Sequence, residues 1–243
     1  MAPMRVRVEL LPRGPYADLV LLVDVLRAST SIALLFEKGA REVWVTGSLR
    51  LARELEADLT LGEREGLPPE GFAHGTSPAE ILSLDLAGKS VAYTSENLPR
   101  ALERAGDAKH LLLGAFVNAP AAVQAARRLA GKEIAVVAAG HGGEEALDDA
   151  LASGFLAKKL IRGREEVQVN DGARIATALL KAFPDPQEAL WQSASGQLLH
   201  ARGFTEDLAH ASIIGRTRQV PRLAERRQVR GVGLFRFLPH EPN

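Results

Sequence analysis

A continuous apolar run, Leu19–Val23, ends in an acid and a cation, and no other stretch constrains the fold as strongly. Five apolar residues in a row are typical of a strand that is buried on both faces of a sheet. Asp24, Arg27 and the hydroxyl residues 29–31 follow before helical spacing begins at Ile32. In an open α/β sheet, ligands collect where a strand ends and a helix begins, because unpaired N–H groups favour an anion. The sequence therefore predicts a ligand site at this junction.

The polar residues of this junction suggest distinct roles. Asp24 is a candidate metal ligand or nucleophile, and Arg27 could bind phosphate or carboxylate through its forked N–H groups. Ser29 and Thr30 either bind substrate or cap the helix, since hydroxyl residues are preferred caps. An acid that ends a buried run beside an arginine favours a functional interpretation over a surface ion pair.

Length and charge limit the class of protein. The chain has 243 residues, enough for one sizeable α/β core, and 30 basic residues balance 30 acidic ones. This balance argues against nucleic acid or an anionic membrane as partner. There is no cysteine, which excludes disulfides and thiolate nucleophiles. No apolar run approaches the ~20 residues of a membrane span and no signal-peptide layout is visible, so a cytoplasmic protein is expected.

Apolar runs alternate with helical patterns along the first two-thirds of the chain. Besides Leu19–Val23, strands are predicted at residues 5–10, 42–46, 58–61, 90–94, 110–113 and 133–138. Residues 170–210 carry helical periodicity without strands, and the β-prone pieces 229–232 and 234–237 are expected at a sheet edge. We therefore predict one domain over residues 1–243, a three-layer α/β/α fold with a largely parallel or mixed sheet and a helical C-terminal section.

A second acid–arginine pair, Glu63 and Arg64, follows the predicted strand at residues 58–61. It opens an irregular loop over residues 62–78 with four glycines and three prolines. Loops this long inside compact domains are usually binding loops or lids, or else disordered. One such pair alone is more typical of a surface salt bridge. Two pairs at equivalent strand ends favour a shared site.

Later strand ends contribute amides, a histidine and further acids. Asn97 follows the strand at residues 90–94, and Asn118 fits a helix cap before Pro120 as well as it fits ligand binding. His141 lies in a glycine-rich turn, and the helix after it carries Asp148 and Asp149. Because neighbours on a helix splay by about 100°, only one of these two acids is expected to face the site.

The side chains at these strand ends favour metal-assisted chemistry on a phosphorylated small molecule. Carboxylates and amides are oxygen ligands suited to Mg²⁺, which commonly takes one or two carboxylates beside water and substrate phosphate. The glycine turn at residues 140–143 lacks the full dinucleotide spacing, so a nicotinamide enzyme is a weak third alternative. The Asp-x-Asp, Arg-His-Gly and Gly-x-Ser-x-Gly patterns of other hydrolases are absent from the sequence.

Several stretches, taken in order and spacing, resemble the 2-phosphosulfolactate phosphatase family. They are residues 24–30, 62–64, 75–78 and 114–119, the pair 139–140 with 147–149 and Gly154, and residues 195–207. The resemblance covers most of the chain. It implies a Mg²⁺-dependent hydrolase of a phosphorylated, sulfonated lactate, a step on the coenzyme M route, with a three-layer α/β/α fold.

The chain departs from the family pattern near the expected substrate. Where that pattern has Asn-Gly-Thr-Arg-Ala-Leu, this chain has Asn97, Leu98 and Pro99 before Arg100, and Thr76 replaces an asparagine. These changes imply that the metal and phosphate machinery is kept while recognition of the rest of the substrate has changed.

The leading hypothesis is Mg²⁺-dependent hydrolysis of a small anionic phosphoester, 2-phosphosulfolactate, to 3-sulfolactate and phosphate. The predicted catalytic residues are Asp24, Arg27 and Asn118; the predicted substrate-binding residues are Ser29, Thr30, Arg64, Asn97 and His141; the predicted metal ligands are Asp24, Glu63 and Asp149. The alternative is a non-catalytic binder of an anionic metabolite on the same scaffold, suggested by Leu98 and Pro99. A homodimer is left open.

Overall fold

The computed structural model describes residues 3–105 and 108–240. Within these residues ten strands form one sheet: β1 (Met4–Glu9), β2 (Leu19–Val23), β3 (Glu42–Thr46), β4 (Leu59–Gly62), β5 (Ser90–Thr94), β6 (His110–Gly114), β7 (Glu133–Ala138), β8 (Val167–Val169), β9 (Pro221–Val229) and β10 (Val232–Pro239). The helices are α1 (Ala28–Glu37), α2 (Leu49–Glu54), α3 (Pro78–Leu82), α4 (Asn97–Arg104), α5 (Ala119–Leu129), α6 (Leu147–Ile161), α7 (Asp171–Ala182), α8 (Pro186–Gln192), α9 (Ala194–Ala201) and α10 (Thr205–Ser212), with a 3-10 turn at Phe116–Asn118.

The strand order is β4-β5-β3-β10-β9-β6-β2-β7-β1-β8. Strands β4, β5 and β3 form one parallel block, and strands β6, β2, β7, β1 and β8 form another. The β9–β10 hairpin joins the blocks by antiparallel pairing, with β10 on β3 and β9 on β6. The α/β fold class with a mixed sheet is thus confirmed, while the division into domains stays a prediction.

The position of the β9–β10 hairpin corrects the sequence analysis. A sheet edge was expected, but the hairpin occupies the middle of the sheet, because it supplies ladder partners to the inner strands of both blocks. Phe235 and Phe237 are fully buried there. The expected strand at residues 229–232 is instead the hairpin turn, where Arg230 and Gly231 adopt positive φ angles of 52° and 78°. The short edge strand β8 was not predicted.

Apolar clusters cover both faces of the sheet, which gives the three layers. Within β2, Leu19 and Leu21 pack in the cluster that α5 and α6 cover, and Val20 and Leu22 pack in the cluster that contains α1 and α4. This alternation is what a strand buried on both faces requires. No described helix combines the length and the apolarity needed to cross a membrane.

Helix α1 is buried all round, since every residue from Ala28 to Phe36 is buried. Its apolar side chains share one cluster with residues of both parallel blocks, so the sheet curls around this helix. The strands of one parallel block run antiparallel to the strands of the other. Strand twist of roughly 20–25° per step accumulates between them, and we infer that this twist brings the carboxyl ends of β2 and β4 to one side.

Candidate active site

The residues that follow β2, β4 and β5 line one polar cleft with about 430 Å³ of empty space, part of it open to solvent. The polar cleft is lined by these polar side chains among others: Asp24, Arg27, Glu63, Thr76, Ser95, Glu96, Asn97, His141 and Ser195. The structure therefore brings together five of the predicted site residues, namely Asp24, Arg27, Glu63, Asn97 and His141.

Asp24 directly follows β2 and forms hydrogen bonds with the start of α1. Its Oδ1 accepts the backbone N–H of Ala28 at 3.2 Å, and its own N–H donates to Ser29 Oγ at 3.0 Å. Only 5% of the residue is exposed. Burial, with the negative charges of Asp148 and Glu63, raises the pKa of Asp24 to about 7, against the opposing effects of the Ala28 N–H and Arg27. A carboxyl with this pKa can hold or release a proton near neutrality.

Asp148 and Asp149 lie behind the cleft and not on its lining. Both are buried, at 1% and 2% exposure. Asp149 accepts the N–H groups of Val25 at 2.8 Å and Gly140 at 3.0 Å, one on each oxygen, so it fastens two strand ends together. Burial raises the pKa of Asp149 well above its usual range, and the charges of Asp148 and Asp24 add to this. Burial also raises the pKa of Asp148 to about 6.

Glu63 faces Asp24 from the loop after β4. Its Oε1 accepts the N–H of Glu96 at 2.9 Å, and its Oε2 accepts the N–H of Gly66 at 3.2 Å. Glu63 raises the pKa of Asp24 through charge repulsion, so the two carboxylates interact across the cleft. Backbone donors hold Glu63 in place while it reaches the cleft.

Arg27 lines the cleft, but its guanidinium is engaged by the protein. Nη1 donates to Asp207 Oδ2 at 3.0 Å, Nη2 donates to the carbonyl of Gly66 at 2.8 Å, and the group lies 5.0 Å from the centre of the Phe204 ring. Asp207 also accepts from Ser77 Oγ and from the N–H of Ala79. This buried pair ties α10 to the cleft and neutralises the arginine; direct anion binding by Arg27 stays a prediction.

Asn97 and His141 close one end of the cleft. Asn97 begins α4, and its Oδ1 accepts the N–H of Gly142 at 3.1 Å, which links the helix to the glycine turn. His141 Nδ1 lies 3.3 Å from Ser195 Oγ at the start of α9. Gly140, Gly142 and Gly143 all have positive φ, as the tight turn before the helix requires. The turn thus carries His141 to the cleft.

Two predicted residues use their polar groups elsewhere. Arg64 donates to the carbonyls of Gly47 and Glu63 at 2.6 and 2.7 Å and does not line the cleft. Asn118 is fully buried; its Oδ1 accepts the N–H of Ala115 and its Nδ2 donates to two backbone carbonyls. Both side chains are satisfied by backbone and stabilise loops, and neither lines the cleft, so their roles in substrate binding and catalysis stay predictions.

The hydroxyls of Ser29 and Thr30 also face the protein. Ser29 Oγ accepts the N–H of Asp24, and Thr30 Oγ1 donates to the carbonyl of Val25 at 2.8 Å. Both residues are fully buried and neither lines the cleft. They shape the turn that carries Asp24, and their contact with substrate stays a prediction.

Sequence reasoning missed Thr76, Ser95 and Ser195 as lining residues of the cleft. Thr76 Oγ1 and Ser95 Oγ are buried and have no hydrogen-bond partner within the described part of the chain. Buried hydroxyls are normally paired, so two orphans beside one cleft point to a ligand or water. Ser95 could have been found, because it directly follows a buried strand, as Asp24 does.

The donor set fits a divalent cation only in part. Within residues 3–105 and 108–240 no three His, Asp or Glu side chains are grouped closely enough to hold a metal. Asp24 and Glu63 nevertheless offer two carboxylates on one cleft, and Mg²⁺ commonly needs no more than one or two, with water and substrate oxygens completing its shell. The residues therefore fit a two-carboxylate site, and Asp149 lies outside it.

Leu98 and Pro99, two of the three departures noted in the sequence, do not line the cleft. Leu98 is fully buried in the apolar cluster around α1, and Pro99 is buried and packs near Gly47. Asn97 before them keeps its place on the cleft. These two replacements therefore lie beneath α4, whereas the third departure, Thr76, lines the cleft.

Comparison with known proteins gives consistent results. A model of the 2-phosphosulpholactate phosphatase family matches residues 6–226. A relative from Deinococcus radiodurans, named probable 2-phosphosulfolactate phosphatase, is 40% identical over 240 residues, covering 97% of this chain and 99% of its own. One of the same name from Thermus thermophilus is 41% identical over 229 residues, covering 92% and 96%. Asp24, Glu63, Asn97 and His141 all lie inside the matched region.

Proposed function

This chain belongs to the 2-phosphosulpholactate phosphatase family, a family of phosphoric monoester hydrolases, and we propose that it hydrolyses 2-phosphosulfolactate to 3-sulfolactate and phosphate. The observation that carries the proposal is the meeting of Asp24 and Glu63 on one cleft inside the matched region. The names of relatives that align over nearly their full length support the substrate.

The proposal includes Mg²⁺, held by Asp24 and Glu63. When bound there, Mg²⁺ would polarise a phosphoryl oxygen and offset the negative charge that develops on the phosphate. Asp24 would serve in its ionised form. The neighbouring acids and burial oppose that form in the metal-free protein, since they raise the pKa of Asp24 to about 7.

The remaining side chains of the cleft would position the phosphate and assist its departure. The unpartnered hydroxyls of Thr76 and Ser95 would donate to phosphate oxygens. Water attacks phosphorus and passes one of its protons to a phosphate oxygen, the bond from phosphorus to the ester oxygen breaks, and the leaving alkoxide gains a proton. His141, which lines the cleft beside Ser195, is placed to supply that proton. Arg27, neutralised by Asp207, would position the turn after Asp24.

The direct test is phosphate release from 2-phosphosulfolactate and from a panel of other phosphoesters, with Mg²⁺ and with EDTA. We expect the sulfonated substrate to be hydrolysed best and EDTA to abolish the reaction. Asp24→Asn and Glu63→Gln should each lower kcat by about 100-fold or more. Asp171→Asn changes an exposed acid on α7 and serves as the matched control.

The proposal would be refuted by Asp24→Asn retaining wild-type activity on a confirmed substrate. Binding of 2-phosphosulfolactate without phosphate release would instead support the non-catalytic alternative. Leu98 and Pro99, which suggested that alternative, lie away from the lining of the cleft.

A further inference from the structure

This inference rests on the proposed function. The charges of the side chains that line the polar cleft are not complementary to those of the substrate proposed there. That substrate carries a phosphate, a carboxylate and a sulfonate. The lining of the cleft includes the acids Asp24, Glu63 and Glu96, and its one described guanidinium, Arg27, is already paired with Asp207. A bound cation would serve the phosphate. Positive charge for the rest of the molecule has to come from outside the cleft.

A second cavity adjoins the cleft and carries the missing charge. This arginine groove, with about 800 Å³ of empty space that is partly open to solvent, is lined by Arg13, Arg100 and Arg104 among others, and it shares Asn97 with the polar cleft. No acidic residue lines it within the described ranges. Its position next to Asn97 makes it continuous with the place proposed for the phosphate.

The three arginines are available to a ligand. All three are exposed, and no described residue forms an ion pair or a side-chain hydrogen bond with Arg100, Arg104 or the guanidinium of Arg13. Several other exposed arginines of this chain are paired, for example Arg50 with Glu54 and Arg202 with Glu65. Unpaired arginines on a shared concave surface are suited to oxyanions, which the guanidinium fork contacts through two N–H groups.

The spacing along α4 ranks the arginines by distance from the cleft. Arg100 is three residues after Asn97, about 4.5 Å along the helix axis, and Arg104 is about 10.5 Å away. Positions 97, 100, 101 and 104 share one helix face, and all four line the groove. Arg100 is therefore the first cation that a ligand meets beyond Asn97.

We propose that the arginine groove binds the sulfonate of the substrate, with Arg100 as its main contact. The carboxylate is attached to the carbon that bears the ester oxygen, whereas the sulfonate lies one carbon further from the phosphate. The sulfonate is thus the anionic group that extends beyond Asn97 when the phosphate is held near Asp24 and Ser95. Arg13 and Arg104 line the same groove and add positive charge to it.

The test compares Arg100→Gln, Arg104→Gln and a control, Arg174→Gln, on two substrates. Arg174 is exposed on α7, which packs on the opposite face of the sheet from α4. For Arg100→Gln we expect KM for 2-phosphosulfolactate to rise about tenfold or more, with kcat near its wild-type value. With 2-phospholactate, which lacks the sulfonate, the rise should be much smaller. Arg104→Gln should give a weaker effect of the same kind.

The outcomes separate this inference from the proposed function. Wild-type protein that does not hydrolyse 2-phosphosulfolactate refutes the proposed function; calorimetry with 3-sulfolactate then still tests the groove. The groove proposal is supported if wild type and Arg174→Gln bind 3-sulfolactate and Arg100→Gln does not. It is overturned if wild type does not bind 3-sulfolactate. Hydrolysis with an unchanged KM in Arg100→Gln, or an equal rise for both substrates, also overturns it.

Discussion

The buried ion pair between Arg27 and Asp207 offers the sharpest test of how the cleft is held together. Its side chains are 3% and 1% exposed, and the charges are 3.0 Å apart. In Asp207→Asn, the side-chain oxygen can still accept from Ser77 Oγ and the N–H of Ala79. The charge of Arg27, however, is left buried without its partner.

The expected loss follows from that uncompensated charge. Removing one member of a buried pair costs about 3–5 kcal/mol, because the remaining ion has lost both water and its counter-charge. For a chain of this size, we expect the melting temperature of Asp207→Asn to fall by roughly 6–20 °C. Arg27→Met should lose a comparable amount. The double variant should lose much less than the sum of the two single losses, since neither charge is then left alone.

Thermal or urea unfolding of the four proteins measures this coupling as a double-mutant cycle. Arg50→Gln, which removes an exposed ion pair with Glu54 on α2, is the control and should leave the melting temperature unchanged within error. Additive losses in the cycle, or a single variant as stable as wild type, would show that the pair does not hold α10 against the cleft.

Three further predictions follow from individual side chains. In EDTA, stability should fall as pH rises from 4 to 7, because burial raises the pKa of Asp24 from 3.8 to about 7 and the folded state keeps a proton that the unfolded chain releases. The melting temperature of Asp24→Asn should depend less steeply on pH than that of wild type, and an equal slope would contradict this. Ser95→Ala should keep or raise the melting temperature, because the buried hydroxyl of Ser95 has no described partner. The same variant should lower the rate of phosphate release about tenfold, and an unchanged rate would exclude a role of Ser95 in binding phosphate. Gly154→Ala should lower the free energy of unfolding by about 1–3 kcal/mol, since its new Cβ would clash with the Ala176 carbonyl where α6 meets α7. A urea midpoint equal to that of wild type would show that the two helices can move apart without loss of stability.

The sequence was informative where a residue's role follows from its neighbours. The run before Asp24 predicted a buried strand, and the structure shows that strand with the acid at its end. Glu63 was expected beside Asp24 because parallel strand ends meet at one edge. The two residues do share a cleft, although their strands belong to blocks that run in opposite directions, and the curl of the sheet around α1 accounts for the meeting.

Features that depend on distant partners could not be predicted. Nothing in the sequence near Arg64 or Asn118 shows that their side chains donate hydrogen bonds to backbone carbonyls of other loops. The pairing of Arg27 with Asp207 joins residues 180 positions apart. The central position of the β9–β10 hairpin depends on strand pairing across the whole chain, and alternating polarity alone is equally typical of an edge strand.

The β9–β10 hairpin has a consequence for synthesis on the ribosome. Its residues 221–239 emerge after every other described strand, yet β3 and β6 take their inner ladder partners from it. Until then, each block presents one row of unsatisfied main-chain groups to its surroundings, a surface prone to intermolecular strand addition. Closure of the sheet therefore has to wait until both parallel blocks have been synthesised, and a nascent chain stalled before residue 221 should depend on chaperones to stay monomeric.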